Sequence, residues 1–246
     1  MRTGASGYVV KSDARGELLP AVEAVLQGKR FVSASLAAND LTDPKEEHIV
    51  DPACRRQVVA PLAPQNAEIA RHHEAGVYSN DRCFLDGLTQ FIGAALNAGN
   101  GVIVLATESH GNGLLPRLQA HGLDIDAAAK EGRSILLDAA DTLSTFMVKD
   151  QPDRVRFLKV VGDLIVAAAK AVKGERPRVA ACGECASLLW ARGNAEAAIQ
   201  VEKCTNQLAM TYDVDILCAY CVGSVQGGMD SQMLEKIYAE HSDVHL

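Results

Sequence analysis

The chain has 246 residues, 48% apolar and 22% charged, the proportions of a folded globular protein long enough to bury a substantial core. A formal net charge of -7 argues against nucleic acid as a partner, because such a surface needs clustered Lys and Arg. No apolar run approaches the roughly 20 residues that span a bilayer, and the first residues lack the long apolar stretch of a signal peptide, so the expectations are no membrane partner and a cytoplasmic location.

Residues 1–36 read as a strand, a loop and a helix. Gly7-Tyr8-Val9-Val10 is a short β-type run, and Leu18, Leu19, Val22, Val25 and Leu26 recur at helical spacing before a stop at Gly28. One strand and one helix cannot bury their apolar faces alone, so this piece packs on something else or is the remnant of a larger domain. Residues 37–70 carry Pro44, Pro52, Pro61 and Pro64 amid mixed charge and read as a linker. From about residue 71 strands and helices alternate. Phe84, Leu88, Phe91, Ile92 and Ala95 mark one face of a helix that stops near Gly99. Strands are expected at 101–106, 134–137, 178–181 and 215–220. Helices are expected at 114–121, 154–173, 195–210 (capped by Asn194) and 231–241. This alternation implies an α/β fold, a parallel sheet covered by helices on both faces. Ligands of such sheets bind beyond the carboxyl ends of the strands, which selects the loops 107–113, 138–142, 182–187 and 218–223.

Among the seven cysteines, Cys182/Cys185 and Cys218/Cys221 form two Cys-x-x-Cys pairs, each closing an expected strand. If those strands are neighbours, four thiols converge at one edge of the cleft, a set that suits tetrahedral Zn or Fe. The alternatives are core thiols or a redox pair. The loop Thr107-Glu108-Ser109-His110-Gly111-Asn112-Gly113 stands where a phosphate-binding loop would. A working version needs Lys followed by Ser or Thr after its glycines, and Leu114 and Leu115 stand there instead, so ATP hydrolysis is not expected. A degenerate nucleotide binder stays open as an alternative. His110 and Glu184 can orient a polar ligand or tie loops down. Asp138 ends the second expected strand, where an acid could meet a ligand. His73 is placed before the first helix of the domain. Trp190 reads as a core anchor, and Glu202 with Lys203 as a solvated helix face.

Several short motifs from His73 to His245 resemble, in order, the MEDS sensory domain named from methanogen and methylotroph (DcmR-type) regulators. They are His73 with Tyr78-Ser79-Asn80-Asp81, Ala106-Thr107-Glu108-Ser109-His110, Leu136-Leu137-Asp138, Gly183-Glu184, Leu188-Leu189-Trp190, Leu217-Cys218-Ala219-Tyr220 and Glu240-His241-Ser242. The resemblance implies a RecA/KaiC-like sheet that binds and signals rather than turns over substrate. It marks His73, Tyr78, Thr107, Glu108, His110, Asp138, Glu184 and Tyr220 as the ligand-binding set. Gly4 to Lys11, with Leu18 to Ser33, resembles the last strand and helix of a response-regulator receiver domain. The phosphoacceptor aspartate is missing, so either the true start lies upstream or the piece is a vestige. The implied organisation is a receiver fragment over 1–36, a linker over 37–70 and a sensory domain over 71–246. The implied partners are a small-molecule ligand, a signalling protein such as a histidine kinase or other two-component protein, and a second copy of the chain.

Overall fold

A computed structural model describes residues 72–174, 176–221 and 231–245, with residues 7, 8, 17, 20, 21, 24, 29, 31 and 32 before them. The expected linker, 37–70, lies outside the described residues. Two short strands come first, β1 (Gly7–Tyr8) and β2 (Phe31–Val32). The main run is β3 (His73–Tyr78), α1 (Asp81–Asn97), β4 (Gly101–Ala106), α2 (Glu108–Ala120), α3 (Ile125–Lys130), β5 (Ser134–Asp138) and α4 (Ala139–Phe146). A hairpin of β6 (Met147–Val148) and β7 (Gln151–Pro152) leads to α5 (Arg154–Ala171) and β8 (Val179–Gly183). Then come α6 (Cys185–Ala191), α7 (Ala195–Thr211), β9 (Val214–Cys221), α8 (Ser231–Glu240) and β10 (Asp243–His245).

The main sheet runs β2-β1-β10-β3-β9-β8-β4-β5. From β10 to β5 every neighbouring pair is parallel; β1 joins β10 antiparallel. The expected α/β parallel sheet is therefore present. Its central strands are nearly continuous apolar runs, as in Gly101–Ala106, because helices cover both faces. Phe84, Leu88 and Ile92 of α1, with Leu114 and Leu118 of α2, pack on Val102, Val104, Ala180, Leu217 and Ala219. The opposite face carries Ala75, Val77, Ile103, Ile216 and Tyr220 under α4 to α8. Sheet residues alternate between these faces with the period of two that a strand imposes.

Helix starts are chemically explicit. Asn80, Thr107, Asp138, Asp153 and Asn194 each accept a backbone N–H of the first turn. Asn194 does so as expected. The hairpin turn is made by Lys149 (φ 50°) and Asp150 (φ 62°), both left-handed, as a two-residue turn requires.

Several elements stand outside those expected, among them α3, α4, α6, the β6–β7 hairpin and two strands of the main sheet, β3 and β10. His73 comes before α1, the first helix of the domain, but Asn80 caps that helix; His73 itself opens a central strand, His73–Tyr78, paired with β9 from His73↔Ile216 to Tyr78↔Cys221. With six residues and a Gly inside, this strand has too little periodicity to announce itself. The strand β10 lies beside β3; that the segment bearing His245 folds back onto the sheet agrees with the reading of the sequence, and only its strand form is not expected.

Candidate functional site

Two constellations of polar side chains stand out. The first lies beyond the carboxyl ends of the strands. Glu184 follows β8 at the start of α6 but does not cap that helix. Its carboxylate reaches across instead and accepts the Thr107 backbone N–H at 2.6 Å, at the entry to α2. His110 Nδ1 lies 2.9 and 2.8 Å from the two oxygens of the same carboxylate. The other ring nitrogen faces Asp81 Oδ1 at 3.6 Å, beyond hydrogen-bond length. Asp81 is exposed, whereas Glu184 and His110 are buried. The His110 ring stacks on Phe84 at 4.3 Å between centroids. The Cys221 thiol donates to Asp81 Oδ1 at 3.3 Å. The ends of β3, β4, β8 and β9 thus meet around one imidazole held between two acids.

This arrangement bears on the phosphate-loop alternative. Backbone N–H groups at the start of α2 are where a phosphate would dock. The Thr107 N–H there already binds an anion, the chain's own Glu184. Together with Leu114 and Leu115 in place of Lys and Ser, this counts against a nucleotide there.

The hydrogen bond to Glu184 raises the His110 pKa above its ordinary 6.5, with burial opposing and Asp81 assisting. A raised imidazole pKa means that this pair stabilises the fold fully below pH 6.5 and loses that contribution as pH rises through the folded-state value. Urea midpoints of the wild type should therefore fall relative to Glu184→Gln on the alkaline side of 6.5. Parallel pH profiles for the two proteins would contradict the ion pair.

The second constellation is buried on the opposite face, among β3, β9, α7 and the turn after α8. His73 Nε2 lies 3.2 Å from Glu202 Oε2 and 3.3 Å from Cys218 Sγ. His241 Nε2 is also 3.2 Å from Glu202 Oε2. The two imidazoles lean together, 4.1 Å between centroids. Tyr220 donates its hydroxyl to Glu202 Oε1. The ligand-type atoms of His73, Glu202, Cys218 and His241 all lie within 4.8 Å of one another, so this group can hold a metal ion. Burial works against the Glu202 carboxylate, but the imidazoles, His241 foremost, outweigh it and hold the carboxyl well below its usual range.

The expected residues therefore divide. Thr107, His110 and Glu184 come together at the strand ends; His73 and Tyr220 join the buried group. Asp138 caps α4 by accepting the Asp141 N–H at 2.9 Å. Glu108 is exposed in the first turn of α2. Tyr78 is buried packing: a Cβ at Gly76 would stand 2.7 Å from its hydroxyl oxygen and one at Gly87 2.4 Å from its ring, so both positions must be glycine for the side chain to lie where it does.

The four-cysteine metal expectation is corrected. The strands are neighbours as expected, with Cys182 opposite Leu217. Yet Cys182 and Cys221 face α1 and α2, whereas Cys185 and Cys218 face the other layer. A spacing of three reverses the face of a strand, and Cys218/Cys221 span such a spacing within β9. Among the described residues only Cys218 belongs to a group at metal-ligand distance. Burial pushes the Cys182 thiol up, Cys185 up to about 12 and Cys218 well above its ordinary range, which opposes a metal-free redox thiolate at all three.

The solvated helix face expected at Glu202 is a second correction, because that residue is fully buried. Asp81 and His241 complete the two groups, and neither stood among the expected ligand residues.

Residues 72–241 match the family model described as MEDS, the methanogen/methylotroph, DcmR sensory domain. No curated protein matches the chain.

Proposed function

The chain belongs to the MEDS family, and from that premise we propose that it is a non-catalytic sensory module that takes a small organic ligand at the carboxyl ends of its strands, where Asp81, His110 and Glu184 meet. The observation that carries this reading is the His110 imidazole, pinned on one side by Glu184 and 3.6 Å short of an exposed carboxylate on the other. A hydroxyl, carbonyl or carboxylate entering that gap gains a donor and an acceptor already oriented by the sheet. Glu184 bridges the loops after β4 and β8, so a ligand that recruits His110 also acts on both loops. The ligand shifts the module only by its differential affinity for two arrangements of those loops. The partner that reads the shift is a signalling protein, a histidine kinase or another two-component protein.

The test is a thermal-shift series with short-chain alcohols, aldehydes, carboxylates and organic halides. One class should stabilise the protein saturably, by about 2.7 kcal/mol at a hundredfold excess over its dissociation constant, and leave solution unchanged. His110→Ala, verified as folded by circular dichroism, should abolish the shift. Absence of any shift across the series, a shift retained by His110→Ala, or conversion of the compound would each overturn the reading.

A further inference from the structure

We propose that His73, Glu202, Cys218 and His241 form a metal centre for a borderline transition cation such as Zn(II) or Fe(II), bound by two imidazoles, one carboxylate and one thiolate. The inference is independent of the ligand reading at the strand ends.

Distance speaks first. A tetrahedral cation with bonds of about 2.0 Å to nitrogen and oxygen sets neighbouring ligand atoms about 3.3 Å apart. The two imidazole-to-carboxylate separations are both 3.2 Å, and the imidazole-to-thiol separation is 3.3 Å. Three of the six edges of such a tetrahedron are thus close to length, and the remaining ligand atoms lie within 4.8 Å of one another.

Orientation is the second support. His73 Nδ1 lies 3.1 Å from the Glu240 carbonyl, and His241 Nδ1 lies 2.6 Å from the Ile237 carbonyl. A carbonyl only accepts, so each Nδ1 carries the proton and donates. Each Nε2 is thereby turned toward the group as the ligating atom. Tyr220 fixes the far oxygen of Glu202 and leaves Oε2 facing both imidazoles. Such outer hydrogen bonds are what orient metal ligands in proteins.

Charge is the third. A buried carboxylate is costly in a dry interior, and a thiolate beside it would add to that cost. A dication balances one carboxylate and one thiolate and leaves a neutral centre. On binding, Cys218 forms its S–metal bond as the thiolate, and its proton leaves to solvent together with any proton on the His241 Nε2. The donor set, N₂OS, excludes Mg(II) and Ca(II), which take oxygen ligands. His241 follows α8, so the cation would also tie the segment from α8 to β10 onto the sheet.

Chelator-stripped protein, titrated anaerobically with Co(II) chloride, decides the matter. We expect stoichiometric uptake, intense tetrahedral d–d bands and a near-ultraviolet thiolate-to-cobalt band. Cys218→Ser should lose the thiolate band, while Cys182→Ser, on the opposite face, should keep it. If Cys218→Ser does not fold, X-ray absorption of zinc-loaded wild type serves instead: one sulfur at about 2.3 Å with nitrogen and oxygen neighbours supports the centre. No uptake by folded protein, a thiolate band that survives Cys218→Ser, or a shell of several sulfurs would overturn it, the first leaving a hydrogen-bonded polar cluster alone.

Discussion

In chelator-stripped protein, Glu202→Ala is expected to lower the unfolding free energy by about 3–5 kcal/mol, the usual cost of removing one partner from a buried ion pair. Glu202 is fully buried on α7, 3.2 Å from each of two imidazoles that are themselves almost wholly enclosed. Burial lowers the His241 pKa, and Glu202, assisted by the Ile237 carbonyl and Glu240, outweighs that, so this carboxylate is the main group holding the imidazole toward its charged form. Alanine removes the countercharge and the acceptor of the buried Tyr220 hydroxyl in one step. It also leaves a void between β9 and α7. Glu202→Gln fills the void and can still accept from Tyr220, so it should cost clearly less than alanine. Urea unfolding of the three proteins side by side is the measurement. A loss below about 1 kcal/mol for the alanine variant, the scale of an ordinary substitution, would mean that the carboxylate does not hold the cluster.

The physics of this cluster also explains why the chain shows it only faintly. Periodicity reports which residues share a face of one element; it does not report which faces of distant elements meet. The helix from Ala195 to Thr211 shows its buried face plainly, through Ala197, Ala198, Val201, Thr205, Leu208 and Ala209. Glu202 lies four residues after Ala198 and three before Thr205, inside that stripe. A carboxylate on an apolar stripe is therefore a visible signal, masked by the adjacent Lys203. His73 carries a weaker one. Once residues 73–78 are a strand, His73, Ala75 and Val77 share a face, as Ile216, Cys218 and Tyr220 do on β9. The pairing that sets these two faces side by side is a tertiary fact.

The strand-end group is more legible because a fold rule locates it. Parallel α/β sheets place polar loops at one edge, and that rule alone selects the loops bearing His110 and Glu184. It does not supply Asp81, which sits one residue past its helix cap and reads as an ordinary first-turn acid. It also favours the paired cysteines, where strand geometry works the other way: the spacing that suits a metal turn sends the two thiols of β9 to opposite layers.

Phe84→Ala is the second large expected effect, about 3–5 kcal/mol of lost stability, the range for emptying a buried phenylalanine site. Phe84 has no exposed surface. Its ring meets Tyr78 edge-on at 5.6 Å and stacks on His110 at 4.3 Å. It therefore joins the apolar layer of α1 and α2 to the strand-end site. Phe84→Leu separates the two roles. Leucine fills most of the volume, so the stability loss should be well below that of alanine. The flat surface under the imidazole is nonetheless gone. Glu184 still fixes Nδ1 in that variant, but nothing keeps the ring plane aimed at Asp81. Ligand response in the thermal-shift series should then fall in Phe84→Leu although the protein remains folded. An alanine variant that loses less than about 1 kcal/mol would mean the surrounding helices collapse freely onto the site, which dense packing does not ordinarily permit. A leucine variant with undiminished ligand response would assign the orientation of His110 to Glu184 alone.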